Sequence, residues 1–283
     1  MADAPTEWSG INGGDSGVNG GDQVGRRSPD DVEDLRRRAL SLDAGLSVRD
    51  PDLPASWPEY RALASLVWIL LSRPDFRSHE AESFRALLIR VLRYLFVSGQ
   101  YQSGATIGRK IRHDWTGALG TEHPDTLAAA NRLAGCLFGL RKYEDARALF
   151  ADLLPRCERT LGGEHPQTLA VAGNLCASLT ALGAYQDARE RCWDVLRRSQ
   201  WALGPDHPST LRAASNLVVI LRHLDDHQTA RAVAEDTVPR YRRTLGDHHP
   251  DTVNAAKDLV AVLRELREDD RAQFLVQDLL PHS

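Results

Sequence analysis

Leu161-Gly162-Gly163-Glu164-His165-Pro166-Gln167-Thr168-Leu169 is one of four copies of a single pattern, Leu-Gly-x-x-His-Pro-x-Thr-Leu/Val. The copies begin at Leu119, Leu161, Leu203 and Leu245, a constant step of 42 residues, and set His123, His165, His207 and His249 each before a proline. Further positions keep the same register: Leu133, Leu175, Leu217 and Leu259; Leu140, Leu182, Leu224 and Leu266; Ala146, Ala188, Ala230 and Ala272. One step earlier stands a weaker copy, in which Val91, Gly99, Tyr101 and Gly104 match Leu133, Arg141, Tyr143 and Ala146. A fixed period of this length with helical patterning predicts an all-α solenoid of about five antiparallel helix pairs.

The third unit shows how each pair is built. Pro166 opens a first helix, here called A, with its fixed φ and missing N–H. Leu169, Ala172, Leu175, Cys176, Leu179 and Leu182 follow at three- and four-residue spacing. Gly183 breaks the helix, and Tyr185-Gln186-Asp187-Ala188 starts helix B, which runs to about Leu203 before Gly204 and Pro205. Ala188 is small because A and B cross closely there. One pair cannot bury both its faces, so stacking of successive pairs supplies the core.

Outside the repeats the chain divides into two parts. Residues 1–27 are rich in Gly, Asp, Asn and Ser, which cannot bury enough apolar surface to offset ordering entropy, and a disordered tail is expected. Residues 28–79 read as a short N-terminal helical region. Ser28-Pro29-Asp30-Asp31 has the form of a helix start, Asp50 to Pro54 is a break, and a second helix runs from Trp57 or Pro58 to Leu71, with Pro74 at or near its end. The array then occupies 80–283.

Of the 283 residues 42% are hydrophobic and 26% charged, with a formal net charge of −4. That balance lacks the basic bias of a nucleic-acid binder. No leader is visible, and the longest apolar run, Ala62 to Leu71 with Ser65 inside it, is about half the roughly 20 residues a membrane span needs. A cytoplasmic protein that binds neither nucleic acid nor membrane is expected. Cys136, Cys157, Cys176 and Cys192 form no C-x-x-C and fall at packing positions of helices, so reduced, buried thiols are expected.

Chemistry has little foothold. Equivalent histidines on successive repeats stand on the order of 10 Å apart by helix packing distances, whereas zinc ligands lie at about 2.0–2.1 Å. The histidines are better placed to meet the free N–H groups at the start of helix A. There is no G-x-S-x-G, H-E-x-x-H or P-loop, so no enzyme, metal or cofactor is expected.

Leu175, Gly183, Tyr185 and Ala188 match the Leu, Gly, Tyr and Ala of the tetratricopeptide signature, and the 42-residue period with its His-Pro element and Asn174-Leu175 or Asn216-Leu217 resembles the longer kinesin-light-chain variant. It is also similar to arrays behind bacterial NB-ARC signalling ATPases and in actinobacterial FxSxx-COOH systems. The chain departs from the pattern at Arg141, Asp225 and Arg267, where Gly is usual, and at His227 and Asp269, where Tyr is usual. Looser turns between helices are expected there. The resemblance implies a right-handed superhelix whose A helices line a concave groove. In that register the groove residues are Arg90 and Arg93; Asn131, Arg132 and Phe138; Asn174; Arg212, Ser215, Asn216, Arg222 and His223; and Asn254, Lys257, Asp258 and Arg264. The asparagines can donate to and accept from an extended backbone. The basic excess suits an acidic peptide or a free C-terminal carboxylate. The function expected is a protein- or peptide-binding scaffold. The alternative is a regulatory sensor array acting with a separate signalling ATPase or transcription regulator.

Overall fold

A computed structural model describes residues 29–46, 51–52 and 54–279 of the chain. The expected tail at 1–27 and the Ser28 cap lie outside these residues. Every regular element among them is helical. Helix α1 spans Pro29–Leu46 and α2 spans Trp57–Leu71, preceded by a 3₁₀ turn at Pro54–Ser56. Five A–B pairs follow: α3 (Glu82–Val97) with α4 (Tyr101–Leu119), α5 (Pro124–Gly139) with α6 (Tyr143–Leu161), α7 (Pro166–Ala181) with α8 (Tyr185–Leu203), α9 (Pro208–His223) with α10 (His227–Leu245), and α11 (Pro250–Glu265) with α12 (Asp269–Leu279). Each A helix has 16 residues, and α4, α6, α8 and α10 have 19. The divergent first unit keeps the same lengths as the rest, so its register survives the loss of the His-Pro element.

The structure shows what that element does. Gly120, Gly162, Gly204 and Gly246 end the B helices at φ of 87° to 93°, a region that favours glycine. Three residues later the histidine caps the next A helix. Its backbone is extended, and its Nδ1 accepts the N–H two residues on, from Asp125 at 3.2 Å, Gln167 at 3.2 Å, Ser209 at 3.1 Å and Asp251 at 3.1 Å. Accepting there requires a neutral ring with its proton on Nε2. Proline then fills the first helical position. In two units the threonine closes the loop: Thr168 and Thr210 Oγ1 donate to the carbonyls of Gly162 and Gly204, each at 2.8 Å. The corresponding Thr126 and Thr252 hydroxyls are buried without a partner.

The A-to-B turns correct one expectation. Gly99 and Gly183 adopt φ of 76° and 78°, and Arg141, Asp225 and Arg267 adopt 60°, 60° and 63°. The same reverse hydrogen bond closes each of the latter three turns and the Gly183 turn, Lys142 N to Leu137 O at 3.0 Å, Ala184 N to Leu179 O at 3.0 Å, Asp226 N to Leu221 O at 3.0 Å and Glu268 N to Leu263 O at 2.9 Å. The turns without glycine are therefore tight, and the three side chains carry left-handed strain of roughly 1–2 kcal/mol each. Packing of both flanking helices holds them there.

Ala146, Ala188, Ala230 and Ala272 are fully or almost fully buried at the A–B crossings. In the first unit the equivalent Gly104 leaves room for Cys136, whose Sγ would lie 2.6 Å from an added Cβ. All four cysteines are buried free thiols, and burial pushes Cys136 up to about 12 and Cys157 to about 11, away from reactive thiolate. At the N-terminal end, α1 and α2 share a core with α3. Tyr60 stacks on Tyr94 with centroids 5.5 Å apart, and Trp57 meets the same ring edge-on at 6.4 Å. No described helix is long and apolar enough to cross a membrane.

Candidate functional site

Helices α3, α5, α7, α9 and α11 touch in succession, whereas successive B helices do not pack on one another. The array therefore curves with the A helices inside. Residues one step of 42 apart stand in a row along this inner face. One such row is Arg90, Arg132, Asn174, Asn216 and Asp258.

Neighbouring A helices bond across the face at an offset of 43. Asn174 Nδ2 donates to Asn131 Oδ1 at 3.2 Å, and Asn216 Nδ2 reaches the Gly173 carbonyl at 3.4 Å. Asn131 is only 8% exposed. These three asparagines thus tie one repeat to the next, and a ligand has access only to their remaining lone pairs and N–H groups. At the same offset Arg222 grips Glu265 with both arms of its guanidinium, at 3.1 and 2.7 Å, and stands 3.7 Å from Asp258. Its hydrogen bond with Arg222 holds the Glu265 carboxyl below its ordinary range. Burial outweighs the same arginine at Asp258 and raises that carboxyl. His223 stacks on Tyr185 at 4.4 Å, and Phe138 packs against Tyr143 at 5.2 Å.

At the N-terminal end the arginines are also matched. Arg90 forms a two-armed pair with Asp43 of α1, its Nε 3.0 Å from Oδ1, and Arg93 does the same to Asp52 with Nε at 2.7 Å. Asp43 is almost buried.

The middle and C-terminal stretch differ. Arg132, Arg212, Asn254, Lys257 and Arg264 have neither ion-pair nor hydrogen-bond partner among the described residues, and all but the half-buried Arg132 are exposed. Burial, with Arg93 and Arg212 nearby, pushes the Arg132 guanidinium down to about 10, against the opposing pull of Asp52. Of the glycines on this face, Gly135 and Gly139 leave space for the rings of Phe96 and Tyr101, which an added Cβ would meet at 3.3 and 2.5 Å. Gly173, in mid-helix on α7, faces open space within 4 Å.

Sequence reasoning missed Asp43 and Asp52 as partners of Arg90 and Arg93, because the region before the array has no repeat register to align. Glu265 carried a signal that could have been used, since it lies one residue more than a repeat step from Arg222. No group of three or more His, Cys, Asp or Glu that could hold a metal ion occurs among the described residues.

The fold has known relatives. A kinesin light chain from Podosopora anserina with nearly identical TPR-like repeats is 24% identical, with 71% of this chain and 96% of that one covered at a TM-score of 0.58. BtubC (BKLC) from P. vanneervenii is 16% identical over 87% of this chain and 90% of that one, at 0.60. The apo form of RapI is 11% identical over 87% and 81%, at 0.63. Among curated proteins none matches the chain. The family profile described as Tetratricopeptide repeat matches residues 125–191, 168–243 and 212–282, together more than half of the chain. With helix pairs in the family's register and its signature Leu, Gly, Tyr and Ala complete at Leu175, Gly183, Tyr185 and Ala188, the chain belongs to the tetratricopeptide-repeat family.

Proposed function

We propose that this protein is a non-catalytic scaffold that binds a protein or peptide along the inner face of α5, α7, α9 and α11. One observation carries this reading. Arg132, Arg212, Lys257 and Arg264 form an unmatched basic set on a single curved face, with Asn254 among them, in a chain whose net charge is −4. Many arginines elsewhere are paired, among them Arg159 with Glu122 and Arg240 with Asp206, and ones unpaired among the described residues, such as Arg109 and Arg189, lie on the B helices, away from this face. An unmatched inner surface of this sign favours an acidic segment or a free carboxylate, drawn in over a range set by screening. A protein of similar fold, a Rap protein, is known in complex with Competence and Sporulation Factor, at a TM-score of 0.51 and 11% identity, so the architecture is compatible with ligand capture.

The test is a comparative capture from native lysate. Parent protein and an Arg212→Glu, Lys257→Glu double variant are used side by side, with circular dichroism confirming equal folding. A partner retained by the parent and lost by the variant supports inner-face binding. A partner held equally by both places the contact elsewhere and overturns the reading.

A further inference from the structure

We infer that the inner face is built, at Gly173, to seat a phosphate monoester carried on the bound segment, between Arg132 and Arg212. This rests on the inner-face reading and names the chemistry at its centre. Three independent features converge there. The first is position. Asn131, next to Arg132, accepts from Asn174, next to Gly173, while Asn216, one turn after Arg212, donates to the Gly173 carbonyl. Helix α7 is thus bracketed by Arg132 on α5 and Arg212 on α9.

The second is the floor. Glycine in a helix interior costs about 1 kcal/mol relative to alanine. At Gly135 and Gly139 aromatic rings from the first unit occupy the space, but at Gly173 nothing does. An open glycine on the helix between those that carry the two arginines admits close approach of a ligand to the backbone.

The third is charge. Neither Arg132 nor Arg212 has an acid partner among the described residues, and Asp52, the acid acting on Arg132, is held by Arg93. Two unmatched guanidiniums leave about two positive charges. A carboxylate offers one negative charge, and a phosphate monoester about 1.5 to 2, with three acceptor oxygens suited to guanidinium forks. Nothing covalent is required, since the phosphate arrives on the ligand.

The test uses three fluorescent degenerate heptapeptide libraries, with a central phosphoserine, glutamate or serine between random residues, titrated into the full chain by anisotropy. The phosphoserine library should bind about tenfold or more tighter than the other two. Arg132→Met and Gly173→Leu should each remove that advantage, and Arg109→Gln on the outer helix α4 should not. Circular dichroism checks that the variants fold. Equal binding of glutamate and phosphoserine libraries, or a phosphate advantage that survives both variants, overturns the inference while leaving an inner-face peptide site standing. If no library binds, the inference falls, and the inner-face reading is decided separately by the lysate capture.

Discussion

The first unit and the middle of the array both present arginines to the inner face, and they dispose of them in opposite ways. Arg90 and Arg93 each meet a carboxylate, Asp43 or Asp52, delivered by residues ahead of the repeats. Arg132, one step of 42 beyond Arg90, meets none and is pressed by Arg93 and Arg212. The same residue type in the same register is thus structural in one unit and unsatisfied in the next. A basic residue on a concave surface is not by itself a binding residue, and its partners inside the chain decide.

The largest effect expected from breaking this contrast is at Asp43. Asp43→Ala leaves Arg90 half-buried with its carboxylate removed. Losing one member of a partly buried pair should cost roughly 1–2 kcal/mol, below the fully buried case because Arg90 keeps some contact with water. Urea unfolding should show it as a lower midpoint. An unchanged midpoint would mean that the N-terminal pair is decorative.

A second test sharpens the contrast between turns. Arg141→Gly, Asp225→Gly and Arg267→Gly each relieve a left-handed residue and should raise stability by about 0.5–1 kcal/mol, net of the entropy glycine adds to the unfolded chain. Gly183→Ala should do the reverse. Melting temperatures read both directions.

The smallest effect is electrostatic and concerns the C-terminal units. Glu265 and Glu268 are held below the ordinary carboxyl range, first by hydrogen bonds with Arg222 and Arg271, and Asp206 and Asp247 likewise by arginines. A carboxyl whose folded pKa is depressed contributes stability above its unfolded pKa, and that contribution disappears as pH falls through the folded value. Acidification below the usual carboxylate range should therefore loosen α9 to α12, seen as faster amide exchange there at pH 3 than the intrinsic rate change explains. Uniform exchange along the array would contradict this.

Much of the fold was legible because it repeats. The helix starts at Pro124, Pro166, Pro208 and Pro250 follow from a motif whose parts act locally: glycine ends one helix, histidine caps the next and proline begins it. Local chemistry at fixed spacing is what a sequence displays. The first unit's register was legible too, from Val91, Gly99, Tyr101 and Gly104. The candidate site was legible as a row of positions but not as a set of available groups. Which arginines are spent depends on Asp43 and Asp52, brought in by tertiary packing, and on the offset of 43 that joins Arg222 to Glu265. The turn at Arg141 was visible as a departure from glycine, yet its tightness was not, because the packing of the two helices on either side imposes it. Gly173 gave no sign at all, since an unfilled space has no sequence pattern.

The most direct measurement is the unfolding free energy of two single variants, Arg90→Met and Arg132→Met, by urea titration without any ligand. Methionine keeps much of the apolar stem and removes the charge. Arg90→Met should destabilise, because it strands the nearly buried Asp43. Arg132→Met should stabilise by about 1 kcal/mol, because it removes a partly desolvated cation with no ion-pair partner among the described residues. Opposite signs are the result the account predicts. Destabilisation of both by similar amounts would show that Arg132 is satisfied within the chain and would contradict the distinction between the two regions.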